Sequence, residues 1–205
     1  MKKIRQVLDR IFIEGLSGMA QGLFATLIIG TIIQQIGTLV GGPTGDMIFA
    51  VGKVAAALTG AGIGVGVAAK FKESYLVVVS AATAGMVGAF ASKLLAGTVL
   101  VDGTMVFAGP GEPLGAFLAA YIGIECGHLV AGKTKVDILV TPIVTIGTGS
   151  LVGLLVGPGV SRIMTSLGSM INWGVEQQPF LMGIVVSVLM GMILTLPISS
   201  AALGI

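Results

Sequence analysis

The sequence predicts an all-α membrane protein of about six transmembrane helices with a cytoplasmic N-terminus, and three observations carry that prediction. Of 205 residues, 55% are hydrophobic and 10% are charged, whereas a soluble domain carries about 25% charged residues to cover its surface. Mean hydropathy is +1.05. Glycine contributes 33 residues without a G-X-Y period, which excludes collagen and fits closely packed membrane helices. The net charge of +2, dispersed along the chain, excludes nucleic acid as a partner. A single cysteine, Cys126, excludes an intrachain disulfide.

A bilayer core of about 30 Å needs roughly 20 apolar residues per helix. Segments of that kind fall near 16–40, 47–69, 75–95, 113–132, 138–157 and 180–196. Residues 1–14 read as an amphipathic lead-in, with Ile4, Val7, Leu8, Ile11 and Phe12 on one stripe. The apolar run after it is too long for a secretory signal, so it is read as a retained first span.

Lysine and arginine set the orientation. Lys2, Lys3, Arg5 and Arg10 precede the first span, Lys70 and Lys72 follow the second, and Lys133 and Lys135 follow the fourth. The alternate links hold Asp46, Asp102, Glu112 and Glu176, with Arg162 as their basic residue. Both termini and the basic links are therefore expected in the cytoplasm.

Each outer link carries a Gly-Pro pair, at Gly42-Pro43, Gly109-Pro110 and Gly157-Pro158, and each is read as a turn. Residues 98–107 form two β-prone runs around Asp102-Gly103, a hairpin signal. Residues 160–173 space Val160, Ile163, Met164, Leu167 and Ile171 as an amphipathic helix. It is expected either in the membrane interface or packed on the bundle as a lid.

Two motifs resemble nucleotide sites. Gly127–Thr134 (GHLVAGKT) fits the P-loop pattern, yet it joins two apolar spans and lacks the strand-to-helix setting such a loop needs. It is read as a turn with inside-positive lysines. The run Gly60, Gly62, Gly64, Gly66 is read first as helix packing and second as a substrate-lining break.

Ionisable groups at membrane depth are functional candidates. Glu125 and His128 share one helical face. Lys53 and Lys93 are placed near outer span ends, where they would snorkel. Glu112, in GPGEP, and Glu176, Gln177 and Gln178, in EQQP, are read as helix caps or as the lining of a polar vestibule for a hydroxyl-rich ligand. The candidate substrate-binding residues are thus Glu112, Glu125, His128, Glu176, Gln177 and Gln178. No catalytic residue, cofactor or metal ion is called for: the chain has one histidine and one cysteine and reads as a conduit or receptor.

Several stretches resemble the permease (IIC) subunits of bacterial sugar phosphotransferase systems, in the branch that includes PfoR-type regulators. They are 12–37, 55–68, VFAGPGEPLGAF (106–117), GKTKVDILVTP (132–142) and 171–205. The resemblance implies a single permease domain over 1–205 in the bacterial cytoplasmic membrane. It would carry a sugar for phosphorylation by a phosphocarrier (IIB-type) partner, hold no phosphoryl-accepting residue of its own, and form a homodimer embedded in membrane lipid. It also implies that GKTKVDI is an inter-helix link needing no nucleotide, and that the chain is C-terminally incomplete, Pro197 and the small residues after it reading as the approach to another span. A membrane sensor built on the same scaffold without transport is the alternative.

Overall fold

The computed structural model describes residues 9–101, 103–177, 180, 183–185 and 187–188. It is an all-α membrane protein. Helix α1 runs over Arg10–Val40 and contains π-helical turns at Arg10–Gly15 and Phe24–Ile28. Then come α2 (Gly42–Ala57), α3 (Thr59–Lys70), α4 (Tyr75–Ala89) and the short α5 (Ala91–Leu95). A two-strand hairpin, β1 (Leu100–Val101) and β2 (Thr104–Met105), precedes α6 (Pro113–Val130) and α7 (Asp137–Gln177).

Among the described residues, α1, α6 and α7 are long and apolar enough to cross a bilayer, and α2 with α3 forms a fourth candidate span bent by 52°. Helix α4 is apolar but shorter. The sixth segment, 180–196, falls largely outside the described residues. Lipid-type exposure accompanies these helices: Leu39, Val54, Val79, Ile138 and Leu155 all face outward.

Glycine explains the packing. Helix α3 is held between α1 and α4, and its alternating glycines serve opposite sides. Gly62 and Gly66 meet Gly22 and Gly18 of α1, while Gly60 and Gly64 meet Gly85 and Ala81 of α4. A Cβ on Gly18 would lie 2.6 Å from the Gly66 carbonyl oxygen, so these helices touch backbone to backbone. The same device seats α1 on α2 through Gly30 with Gly52 and Gly37 with Gly45, and α4 on α6 through Gly88 with Gly115. The glycine run is thus a packing element. The break lies just before it, at Leu58 (φ −83°, ψ 11°), where the buried Thr59 hydroxyl donates to the Ala56 carbonyl at 2.6 Å. That bond adds a side-chain donor to a carbonyl that the backbone at the helix end also reaches.

The core between these seams holds Ile63, Val67, Val77, Phe90 and Ile124, all fully buried. Helix α6 packs on α7, where Gly127 abuts Thr145. Thr141 and Thr145 are buried, and their hydroxyls donate to Asp137 Oδ1 (2.6 Å) and to the Thr141 carbonyl (2.8 Å).

The expected hairpin is present. Leu100 pairs with Met105 and Val101 with Thr104, and Gly103 at φ +77° closes the turn. Gly42-Pro43 begins a helix immediately after a turn made by Gly41 and Gly42, both with positive φ. Gly157-Pro158 departs from expectation: it lies inside α7, with Pro142 and Pro158 both accommodated within the helix. Each proline forfeits one N–H bond, a loss membrane helices tolerate. Residues 160–173 are therefore helical, as expected, but continuous with the fifth span rather than a separate element. Val160, Ile163 and Met164 share an apolar cavity with Leu114 and Phe117, which favours packing on the bundle.

Candidate functional site

The ionisable candidates divide between the two ends of α6. Glu112 stands at its N-cap and Glu125 lies thirteen residues on. At 1.5 Å of rise per residue they are about 20 Å apart along the axis. They cannot contact one ligand of monosaccharide size.

At the C-terminal end of α6, four charged or titratable side chains from three parts of the chain converge. Arg10 Nε donates to Glu125 Oε1 at 2.7 Å, and Arg10 Nη2 to Glu73 Oε1 at 3.2 Å. His128 Nδ1 lies 2.9 Å from Glu73 Oε2. The Arg10 guanidinium also sits 4.3 Å above the Phe71 ring, and Phe71 packs edge-on to Tyr121. Glu73 has 5% of its side chain exposed and is the buried hub of the network. Glu125 and His128 do share a face, as their spacing predicts, but each is joined to the rest through Arg10 and Glu73, residues not singled out as candidates by the sequence. The available signal was the single acid within the lysine-bearing link 70–74. The network also puts the start of α1, the 71–74 link and the end of α6 at one end of the bundle.

At the opposite end the chain departs from helix geometry. Helix α4 stops at Phe90 (φ −109°, ψ 13°), which frees the Ala89 carbonyl to accept the backbone N–H of Glu112 at 2.8 Å. Lys93 Nζ donates to the Ala108 carbonyl at 2.8 Å, and Phe107 packs against Phe90 with centroids 5.0 Å apart. Residues 106–112 are thus tied at both ends to the break, with Gly109 and Gly111 at positive φ. Lys93 tethers this loop, in keeping with a structural role. Glu112 occupies the N-cap position ahead of Pro113, but its carboxylate makes no capping bond. It instead lines a cavity of about 210 Å³ with Ser92, Lys93 and, from α7, Ser161.

A second cavity, of about 520 Å³, lies across the same loop and shares Ala108 and Pro110 as its wall. Its other side carries Thr31 and Gln34 of α1 and Lys53 of α2. Because α2 starts at Gly42, not near 47, Lys53 lies three turns inside the helix and about one turn before the Leu58 break. The helix thus begins five residues before the expected start of the second span.

Glu176 and Gln177 belong to the last turn of α7, and their side chains, like the whole of Gln178, lie outside what the structure describes. The P-loop lookalike is helical through Val130. Gly132 then turns at φ +71°, and its N–H is taken by Asp137 Oδ1 at 2.9 Å, while Lys133 N–H donates to the Val130 carbonyl at 3.1 Å. Both amides are spent, Gly127 abuts Thr145, and no strand precedes the loop, so this is a turn and not a phosphate cradle. Among the described residues no three His, Cys, Asp or Glu side chains are placed to hold a metal ion.

In comparison with protein families, the family described as Phosphotransferase system, EIIC matches residues 13–205. Neither the curated proteins nor the solved structures give a match.

Proposed function

From the premise that this chain belongs to the phosphotransferase system EIIC family, we propose that it is the membrane-embedded permease of a phosphoenolpyruvate-dependent sugar phosphotransferase system. In this reading it binds a sugar, carries it across the bacterial cytoplasmic membrane, and presents it to a IIB-type phosphocarrier subunit. The family match over residues 13–205 is the observation that carries the reading. Two helix breaks beside cavities that carry Gln34, Lys53 and Glu112 support it, because interrupted helices are how transporters expose polar groups to a substrate.

The residues take distinct parts. Glu112, with its carboxylate free of any capping bond, accepts sugar hydroxyls in the cavity it lines with Ser92 and Ser161. The Arg10–Glu73–Glu125–His128 network lies about 20 Å away along α6 and holds the opposite end of the bundle together. The lysine-rich links at that end favour a cytoplasmic orientation, so the network is the inner closure that opens when sugar is handed on. Glu176, Gln177 and Gln178 are retained as candidate vestibule residues, and a homodimer as the assembly.

The test is uptake and phosphorylation in proteoliposomes supplied with the soluble phosphotransfer subunits and a sugar panel. At least one sugar is expected to be taken up and phosphorylated, with Glu112→Gln lowering the rate at least tenfold. Absence of uptake and phosphorylation for every sugar overturns the reading.

A further inference from the structure

The larger cavity has on its wall an exposed lysine that no described group pairs. Lys53 has no hydrogen bond or ion pair among the described residues, and its ammonium rests 5.5 Å from the Phe49 ring centroid. The neighbouring polar groups are Gln34, whose amide donates to the Gly30 carbonyl at 3.3 Å, and Thr31, whose hydroxyl donates to the Leu27 carbonyl at 2.8 Å. Opposite them stands the loop 106–110, and no carboxylate lines the cavity among the described residues. Lys93, the other lysine nearby, already has a partner in the Ala108 carbonyl.

An ammonium part-way along an apolar helix is expensive unless it meets a counter-charge or water. Gly52 brings α2 close to Gln34, since a Cβ there would lie 2.8 Å from Gln34 Cγ. Lys53 lines the same cavity as the Gln34 amide and the Thr31 hydroxyl of α1. The set offers one cation, one amide and one hydroxyl, within a volume of about 520 Å³ that falls in the usual range for small-ligand sites.

We propose that this cavity binds the carboxylate end of an acidic sugar, with Lys53 as its counter-charge and Gln34 and Thr31 as hydroxyl partners. The proposal rests on the sugar-permease reading and narrows its substrate class. The cavity across the loop, where Glu112 supplies an acceptor, then serves the neutral hydroxyls of the same class of ligand.

The experiment is equilibrium binding to the purified chain in nanodiscs, using hexoses and the matching uronic and aldonic acids. At least one acid is expected to bind ten times more tightly than its neutral counterpart. Lys53→Gln should remove that preference while Lys53→Arg keeps most of it. Preserved neutral-sugar binding by Lys53→Gln establishes that this variant is folded. If neutral hexoses bind as tightly as the acids, or Lys53→Gln leaves acid binding unchanged, the acidic-sugar assignment is overturned and the permease reading stands. If no sugar of either kind binds, both fail.

Discussion

Arg10 Nε and Glu125 Oε1 are 2.7 Å apart across 115 residues of sequence, and that bond ties the first helix to the end of α6. Both side chains are about one-third exposed, so solvent screens the pair. A double-mutant cycle with Arg10→Gln and Glu125→Gln should give a coupling of about 0.5–1 kcal/mol, shrinking as salt is raised. A coupling of zero at low salt would remove the pair from any account of stability.

Glu73 is a different case, because it is buried and serves both Arg10 and His128. Glu73→Ala leaves Arg10 with one partner and His128 with none in this network. The loss should be about 2 kcal/mol, read as a fall in Tm of roughly 5 °C for a chain of this size. A shift within error would mean that water replaces the carboxylate without cost.

The glycines predict opposite signs at two positions. Gly64→Val drives a side chain into the Ala81 carbonyl and should destabilise by about 3 kcal/mol or prevent folding. Gly147 is helical with open space where a Cβ would go. Gly147→Ala should therefore be neutral or stabilising by up to about 1 kcal/mol. Denaturation in detergent compares the two, and equal effects would contradict the packing described.

Loosening the 106–112 loop should be visible directly. Lys93→Met removes the bond to the Ala108 carbonyl while keeping the aliphatic stem. Amide exchange across residues 104–112 should accelerate several-fold with the rest of the bundle unchanged. Unchanged exchange there would show that Phe107 and the Glu112 amide suffice.

Lys133→Ala is expected to do nothing to nucleotide labelling, because neither parent nor variant should be labelled by an ATP analogue. Specific labelling lost on this substitution would restore the P-loop interpretation that the amide pairing of Gly132 argues against.

Much of the fold was legible because it follows from local chemistry. Asp102-Gly103 announced the hairpin and the apolar runs announced the helices, whereas Gly42-Pro43, read as a turn, begins α2. The Leu58 break was not, since Ala55–Thr59 contains neither proline nor glycine. It arises where α1 changes partner from α3 to α2, a tertiary cause. Gly157-Pro158 misled for the converse reason, as a local breaker was overruled by a continuous helix. The site was half legible. Glu125 and His128 were paired by helical spacing alone, whereas Arg10 and Glu73 reach them from distant segments, and one periodicity cannot report contacts between three elements. Lys53 was noticed, but its helix begins earlier than the apolar run suggested.

The Ala89 carbonyl bears on how the chain enters the membrane. Helix α4 leaves the ribosome before Glu112, whose amide eventually occupies that oxygen. Until then the acceptor lacks this donor and needs water in its place. This end of α4 is therefore completed only when the beginning of α6 is in place, and the two helix ends are finished as one unit.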